Sequence, residues 1–172
     1  MFLRKTIAVL ASAAALSLGV VGTAQAARTI TYNSTGAAQY ETEITDAVAI
    51  WNSSVKNVQI KKAAAGARAN FTIVSDPGWP RAQPTSLGNG KIWMGKQAID
   101  QKYDIRRIAA HEIGHILGLP DVKPGPCSSL MSGSTGGVDC KSRTPNAAEK
   151  ARVERLFAGT AKADLTEVVD AA

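Results

Sequence analysis

The chain has 172 residues, a formal net charge of +6 and 5% aromatic residues. That length fits one domain with a single hydrophobic core. Its Lys and Arg are scattered, with Lys61-Lys62 and Arg106-Arg107 as the doublets beyond the N-terminus, so a basic stripe with stacking aromatics for nucleic acid is excluded in favour of a solvated, mildly basic surface.

Residues 1–5 carry two positive charges, residues 6–21 are uncharged and rich in Ala, Leu and Val, and Ala24-Gln25-Ala26 has the small-x-small pattern of a signal-peptidase site. The apolar run is shorter than the roughly 20 residues needed to span a bilayer. Residues 1–26 are therefore expected to be a signal peptide, and residues 27–172 a soluble, extracellular domain. Removing those 26 residues leaves 146, and because Arg4 and Lys5 leave with no acid, the charge falls to +4. Cys127 and Cys140 remain, and an even count in an oxidising compartment implies one disulfide, with free buried thiols as the alternative. Closing that loop stabilises by about 3 kcal/mol in the loop-entropy account.

Ile30 and Tyr32 alternate with polar residues and predict a strand over 28–33. Ile44, Ala47, Val48, Trp51 and Val55 recur at helical spacing, predicting a helix over 41–55. Strands are expected at 58–62, 70–75 and 91–94, and the prolines and glycines of 76–89 predict a long irregular loop between the last two. Ile105, Ile108, Ala109 and Ile116 predict a helix over 104–117, with Gly118 suited to its left-handed stop. Residues 120–143 read as a structured loop. Asn146 and Glu149 resemble a capping box for a final helix bearing Val153, Leu156 and Phe157, stopped at Gly159, and 160–172 is expected to be a flexible tail. Strand, helix, several strands, helix, loop, helix is an α+β pattern: a mostly strand-based sheet with helices packed on it.

The chemistry is concentrated in His111-Glu112-Ile113-Gly114-His115-Ile116-Leu117-Gly118-Leu119-Pro120-Asp121. Two His at i and i+4 project from one helix face and can share a Zn²⁺ at roughly 2.0–2.1 Å. Glu112 is placed beside the metal as a general base. Gly118 turns the chain so that the Asp121 carboxylate completes three ligands and leaves a fourth position open, the catalytic rather than the structural arrangement. The chain has two histidines and both lie here. A chance HExxH arises on the order of once in a few hundred chains of this length.

HExxHxxGxxD followed by a methionine in a turn resembles the metzincin clan of zinc proteases, and an aspartate third ligand resembles its small branch, the snapalysins, secreted neutral proteases of actinomycetes. The likeness covers roughly residues 29–159 and includes Ile50-Trp51-Asn52-Ser53-Ser54-Val55, Gly118-Leu119-Pro120-Asp121, Gly125-Pro126-Cys127 and Leu130-Met131-Ser132-Gly133. The resemblance implies a small metzincin-like domain. It implies one zinc on His111, His115 and Asp121, Glu112 as catalytic glutamate, Met131 as a hydrophobic floor under the metal, and a Cys127–Cys140 disulfide bracing it. Two positions depart from the family. Lys123 replaces a tyrosine thought to help stabilise the oxyanion, and would either act electrostatically or point into solvent. The family also has a calcium site, of which Asp104 matches one ligand, but Arg106 stands where a neutral oxygen is expected, and Asp104 equally suits a helix N-cap.

The function expected is a secreted zinc endopeptidase acting on extracellular proteins or peptides. It would be monomeric, without nucleic-acid or membrane partners, and a secreted inhibitor is a further expected partner. The strand around Gly90–Gly95 would bind extended substrate at the cleft rim, with Trp79 and Trp93 shaping a hydrophobic subsite. The alternatives are a catalytically weak or inactive secreted zinc-binding module that recognises protein, and a basic surface-adhesion protein.

Overall fold

The computed structural model describes residues 26–163, 165 and 168–169. The expected signal peptide lies outside the described residues except for Ala26, and so does part of the expected tail. No helix among the described residues is long and apolar enough to cross a membrane.

The first strand, β1 (Arg28–Gly36), buries Ile30, Tyr32 and Ser34 on one face. Helix α1 (Glu41–Ser54) follows and buries Ile44, Ala47, Val48 and Trp51, the stripe that its spacing dictates. It crosses over to β2 (Val58–Lys62), which lies parallel to β1 with Ile30 opposite Ile60. Strand β3 (Phe71–Asp76) is parallel to β1 on its other side. Strand β4 (Arg81–Ser86) is antiparallel to β5 (Asn89–Gly95), which in turn is parallel to β3. The result is a five-stranded mixed sheet ordered β2-β1-β3-β5-β4, with the helices against it: an α+β domain as expected. Val168–Val169 (β6) adds a two-residue strand antiparallel to β4 at Arg81 and Ala82.

Strand β4 corrects the loop expected at 76–89. Its sequence, Arg-Ala-Gln-Pro-Thr-Ser, carries little apolar alternation, and a proline argues against a central strand. Pro84 is tolerated because Gly90, opposite it, sends its own N–H the other way, to the Asn70 carbonyl, so the ladder to β5 asks for no donor there. A second correction follows. Strand β5 is paired on both sides, so an extended peptide has no free edge there; on the far side of β4, β6 takes Arg81 and Ala82, and the stretch of β4 not paired with it is Gln83–Ser86.

A short helix, α2 (Lys96–Asp100), which periodicity did not reveal, leads into α3 (Ile105–Ile116). Asp104 caps α3 by accepting the Arg107 N–H at 2.9 Å. The final helix, α4 (Ala147–Phe157), starts with the expected capping box: Asn146 accepts the Glu149 N–H while the Glu149 side chain accepts that of Asn146. Helices α1 and α3 pack together and fill the core over Phe71, Ile73, Ile92 and Met94 of the sheet. They are joined by a buried polar contact, the Trp51 indole N–H donating to the Ala110 carbonyl at 2.8 Å.

Replacing Trp51 by Phe removes that donor while keeping an aromatic ring. The expected loss is about 1–3 kcal/mol, read as a lower urea midpoint at unchanged slope by far-ultraviolet circular dichroism. An unaltered midpoint would mean that the indole bond contributes nothing.

Candidate metal centre

Helix α3 is buried over nearly its whole length. His111, Glu112 and His115 are at most 1% exposed. The imidazoles stand one turn apart, their ring centroids 4.6 Å from each other. Each ring is oriented from behind. His111 Nδ1 lies 3.0 Å from the Leu130 carbonyl and His115 Nδ1 lies 2.8 Å from that of Leu119. A carbonyl only accepts, so both Nδ1 atoms carry the proton and both Nε2 atoms present lone pairs inward.

The Leu119 carbonyl is delivered by the turn at Gly118, whose φ of 86° is the left-handed conformation expected there. The Gly118 N–H donates to His115 and that of Leu119 to Gly114, closing the helix and reversing the chain. That reversal brings Asp121 back to the histidines. Its Oδ1 lies 3.3 Å from His111 Nε2 and 3.5 Å from His115 Nε2, and the two Nε2 atoms are 3.0 Å apart.

His111, His115 and Asp121 form the group of three or more His, Cys, Asp or Glu able to hold a metal ion among the described residues. The donor set fits one. Two lone pairs and a buried carboxylate oxygen that has no hydrogen-bond partner converge on one point, an arrangement that repels itself unless a cation lies among them. A tetrahedral zinc with ligands at about 2.0–2.1 Å separates them by about 3.3–3.4 Å, close to the three edges seen. Burial pulls the His115 imidazole below its ordinary value, which leaves it neutral and able to ligate.

Met131 is 1% exposed, in a 3-10 turn spanning Leu130–Gly136. It packs on α3 between the two histidines: a Cβ built at Gly114 would lie 2.7 Å from Met131 Sδ and 3.3 Å from Trp51. The Met131 carbonyl accepts the Val122 N–H at 2.8 Å, tying this turn to the segment bearing Asp121. Cys127 and Cys140 are bridged, as expected, with Cα atoms 5.5 Å apart, and close the loop around the turn.

Lys123 lies on the outer oxygen of the aspartate, Nζ 3.2 Å from Asp121 Oδ2, with its side chain 20% exposed. Asp104 has its carboxylate on Arg143, at 2.9 and 2.6 Å, and on the α3 cap, while Arg106 pairs with Asp46 of α1. Those contacts match the N-cap reading of Asp104. Trp79 lines a small recess of about 20 Å³ together with Ala98, Tyr103, Ile108 and His111. Trp93 does not reach it: it alternates with Ile92 and Met94, on the opposite face of β5, and carries Arg81 at 4.4 Å and Lys91 at 4.8 Å on its ring. Two buried charges to which the sequence assigned no part in the site, Arg107 and Glu149, bind the turn that carries Met131. Arg107 falls on the His111 face, four residues earlier, which is the one signal that marks it.

Alanine outranks glycine in a helix by about 1 kcal/mol, yet Gly114→Ala is expected to destabilise by about 1–3 kcal/mol, because Met131 and Trp51 already fill the space. Urea unfolding checks the sign. Asp104 gives a pH test. Burial alone would raise its carboxyl, but Arg143 and the Arg107 amide hold it below its ordinary 3.8. Its stabilisation is therefore complete above that value and lost as pH falls through the lower folded value. The stability gap between the unaltered chain and Asp104→Asn should be flat near neutrality and shrink in acid below that range.

Residues 27–160 match the sequence profile of the Streptomyces extracellular neutral proteinase (M7) family. An extracellular small neutral protease from Streptomyces caespitosus is 45% identical over 132 residues, covering 76% of this chain and 97% of its own length. One from Streptomyces sp. (strain C5) is 42% identical over 133 residues, 77% of this chain and 58% of its own length, and one from Streptomyces lividans is 38% identical over 149 residues, 87% and 65%. This chain thus spans less than two thirds of the strain C5 and S. lividans proteins. With the profile matched over most of its length, the chain belongs to the Streptomyces extracellular neutral proteinase (M7) family.

Proposed function

We propose that the protein is a secreted zinc endopeptidase, in which His111, His115 and Asp121 hold one zinc ion and Glu112 is the general base. The observation that carries this reading is the convergence of three inward-facing acceptor atoms, all within 4.8 Å of one another, next to a wholly buried Glu112. The relatives are named extracellular small neutral proteases, which supports both export and peptide-bond hydrolysis. The Ala24-Gln25-Ala26 pattern supports export independently.

Zinc, when bound, supplies Lewis acidity toward a peptide carbonyl and makes nearby water more acidic. The remaining work belongs to side chains of this molecule. The Leu119 and Leu130 carbonyls keep both Nδ1 atoms protonated, so the rings act as neutral ligands. The Glu112 carboxylate takes the proton of the attacking water and passes it to the leaving nitrogen. The Gln83–Ser86 stretch of β4 offers the rim for an extended peptide, and the Trp79–Tyr103 pair beside His111 offers an apolar surface for a substrate side chain to pack against.

The rival reading is a secreted zinc-binding module without turnover. It is favoured by one observation: Lys123, in place of the family tyrosine, is engaged with Asp121. Casein hydrolysis with and without a chelator separates the two. Activity should vanish on chelation and return with zinc. Glu112→Ala should retain one zinc per chain and lose at least about 10²–10⁴ in turnover; unaltered digestion by that variant would refute the general-base role.

A further inference from the structure

The turn that carries Met131 is held between two opposite buried charges, each 5% exposed. From α3, the Arg107 guanidinium donates to the carbonyls of Ser129 at 2.8 Å and Leu130 at 3.4 Å, to Ser132 Oγ at 2.9 Å, and to the carbonyl of Ser142. From α4, the Glu149 carboxylate accepts the Ser129 hydroxyl at 2.7 Å and the N–H groups of Met131 at 3.0 Å and Leu130 at 3.3 Å. The cation thus takes the acceptors of one short turn and the anion takes its donors. The Leu130 carbonyl is shared: it accepts from Arg107 and from His111 Nδ1, whose residues stand four apart on one helix face.

We propose that Arg107 and Glu149 are positioning residues of the metal centre, which fix the direction of the Leu130 carbonyl and through it the tautomer and ring orientation of His111. This rests on the zinc reading above. The chemistry favours a positioning role over simple packing. Burying a guanidinium and a carboxylate costs several kcal/mol of desolvation each, and apolar side chains of similar volume would fill the same space. Apolar side chains cannot dictate where a carbonyl points. A planar guanidinium with several donors in a fixed fork can, and a lysine, with one compact ammonium, cannot bind that set of acceptors together. Glu149 completes the constraint from the other side of the same peptide units, and its capping role ties that constraint to the start of α4.

The test uses the full mature chain and its Arg107→Lys and Glu149→Gln variants. Zinc affinity is measured by competition with a chromogenic chelator, the cobalt-substituted protein is recorded in the visible, and urea midpoints are taken with and without zinc. Each variant is expected to bind zinc about 10–100-fold more weakly, to shift the cobalt bands, and to gain less stability from zinc than the unaltered chain does. Asp46→Asn, which removes an exposed ion pair to the neighbouring Arg106, should change none of these. A purely structural role lowers the midpoints with and without zinc equally and leaves affinity and cobalt bands unchanged, which would overturn the inference. If Arg107→Lys does not fold, Glu149→Gln, near-identical in shape, decides on the same readouts. If the unaltered chain itself binds no zinc, it is the underlying reading of the site that fails.

Discussion

The Nδ1–H groups of His111 and His115 are each donated to a backbone carbonyl, and these two hydrogen bonds decide which nitrogen of each ring faces inward with a lone pair. Neither carbonyl comes from the helix that carries the histidines. Leu119 lies just past its C-terminal turn, and Leu130 lies in a loop bounded by a disulfide. The orientation of the ligands is therefore a property of how three segments are packed rather than of α3 alone.

The rest of the molecule supports that packing. Helix α1 braces α3 through the Trp51–Ala110 bond and leaves Gly114 no room for a side chain. Met131 packs against Gly114, and its backbone holds the segment carrying Asp121 through the Val122 amide. Opposite buried charges grip the turn, and the sheet beneath supplies an apolar foundation from Phe71, Ile73, Ile92 and Met94. A cluster of three acceptors this close has an electrostatic cost in folding. Rigid surroundings that cannot spread the acceptors apart also present a pre-organised cation site.

Several features departed from expectation for reasons of context. Strand β4 looked like a loop because Pro80 precedes it, Pro84 lies within it and its side chains are mostly polar; the position of Pro84 opposite Gly90, where the ladder to β5 asks for no donor, makes that proline tolerable. Trp93 is separated from the recess by a single residue of register, since adjacent strand positions face opposite sides. Asp104 turned out to be engaged with Arg143, 39 residues later, a contact that local spacing cannot show.

The primary structure by itself determined the α+β pattern, the boundaries of the periodic helices, the capping box at Asn146 and the ligand candidates. These depend on spacings of three, four or six residues, and at that range helical geometry and a glycine turn dictate direction. Only the tertiary structure decided the ring tautomers, the recess wall at Trp79, the floor contact of Met131 on Gly114 and the joint grip of Arg107 and Glu149 on one turn. Apart from the four-residue step from His115 to Leu119, each of those joins residues that are between 17 and 42 positions apart in the chain. Packing of the whole core sets such contacts, and no local propensity encodes them.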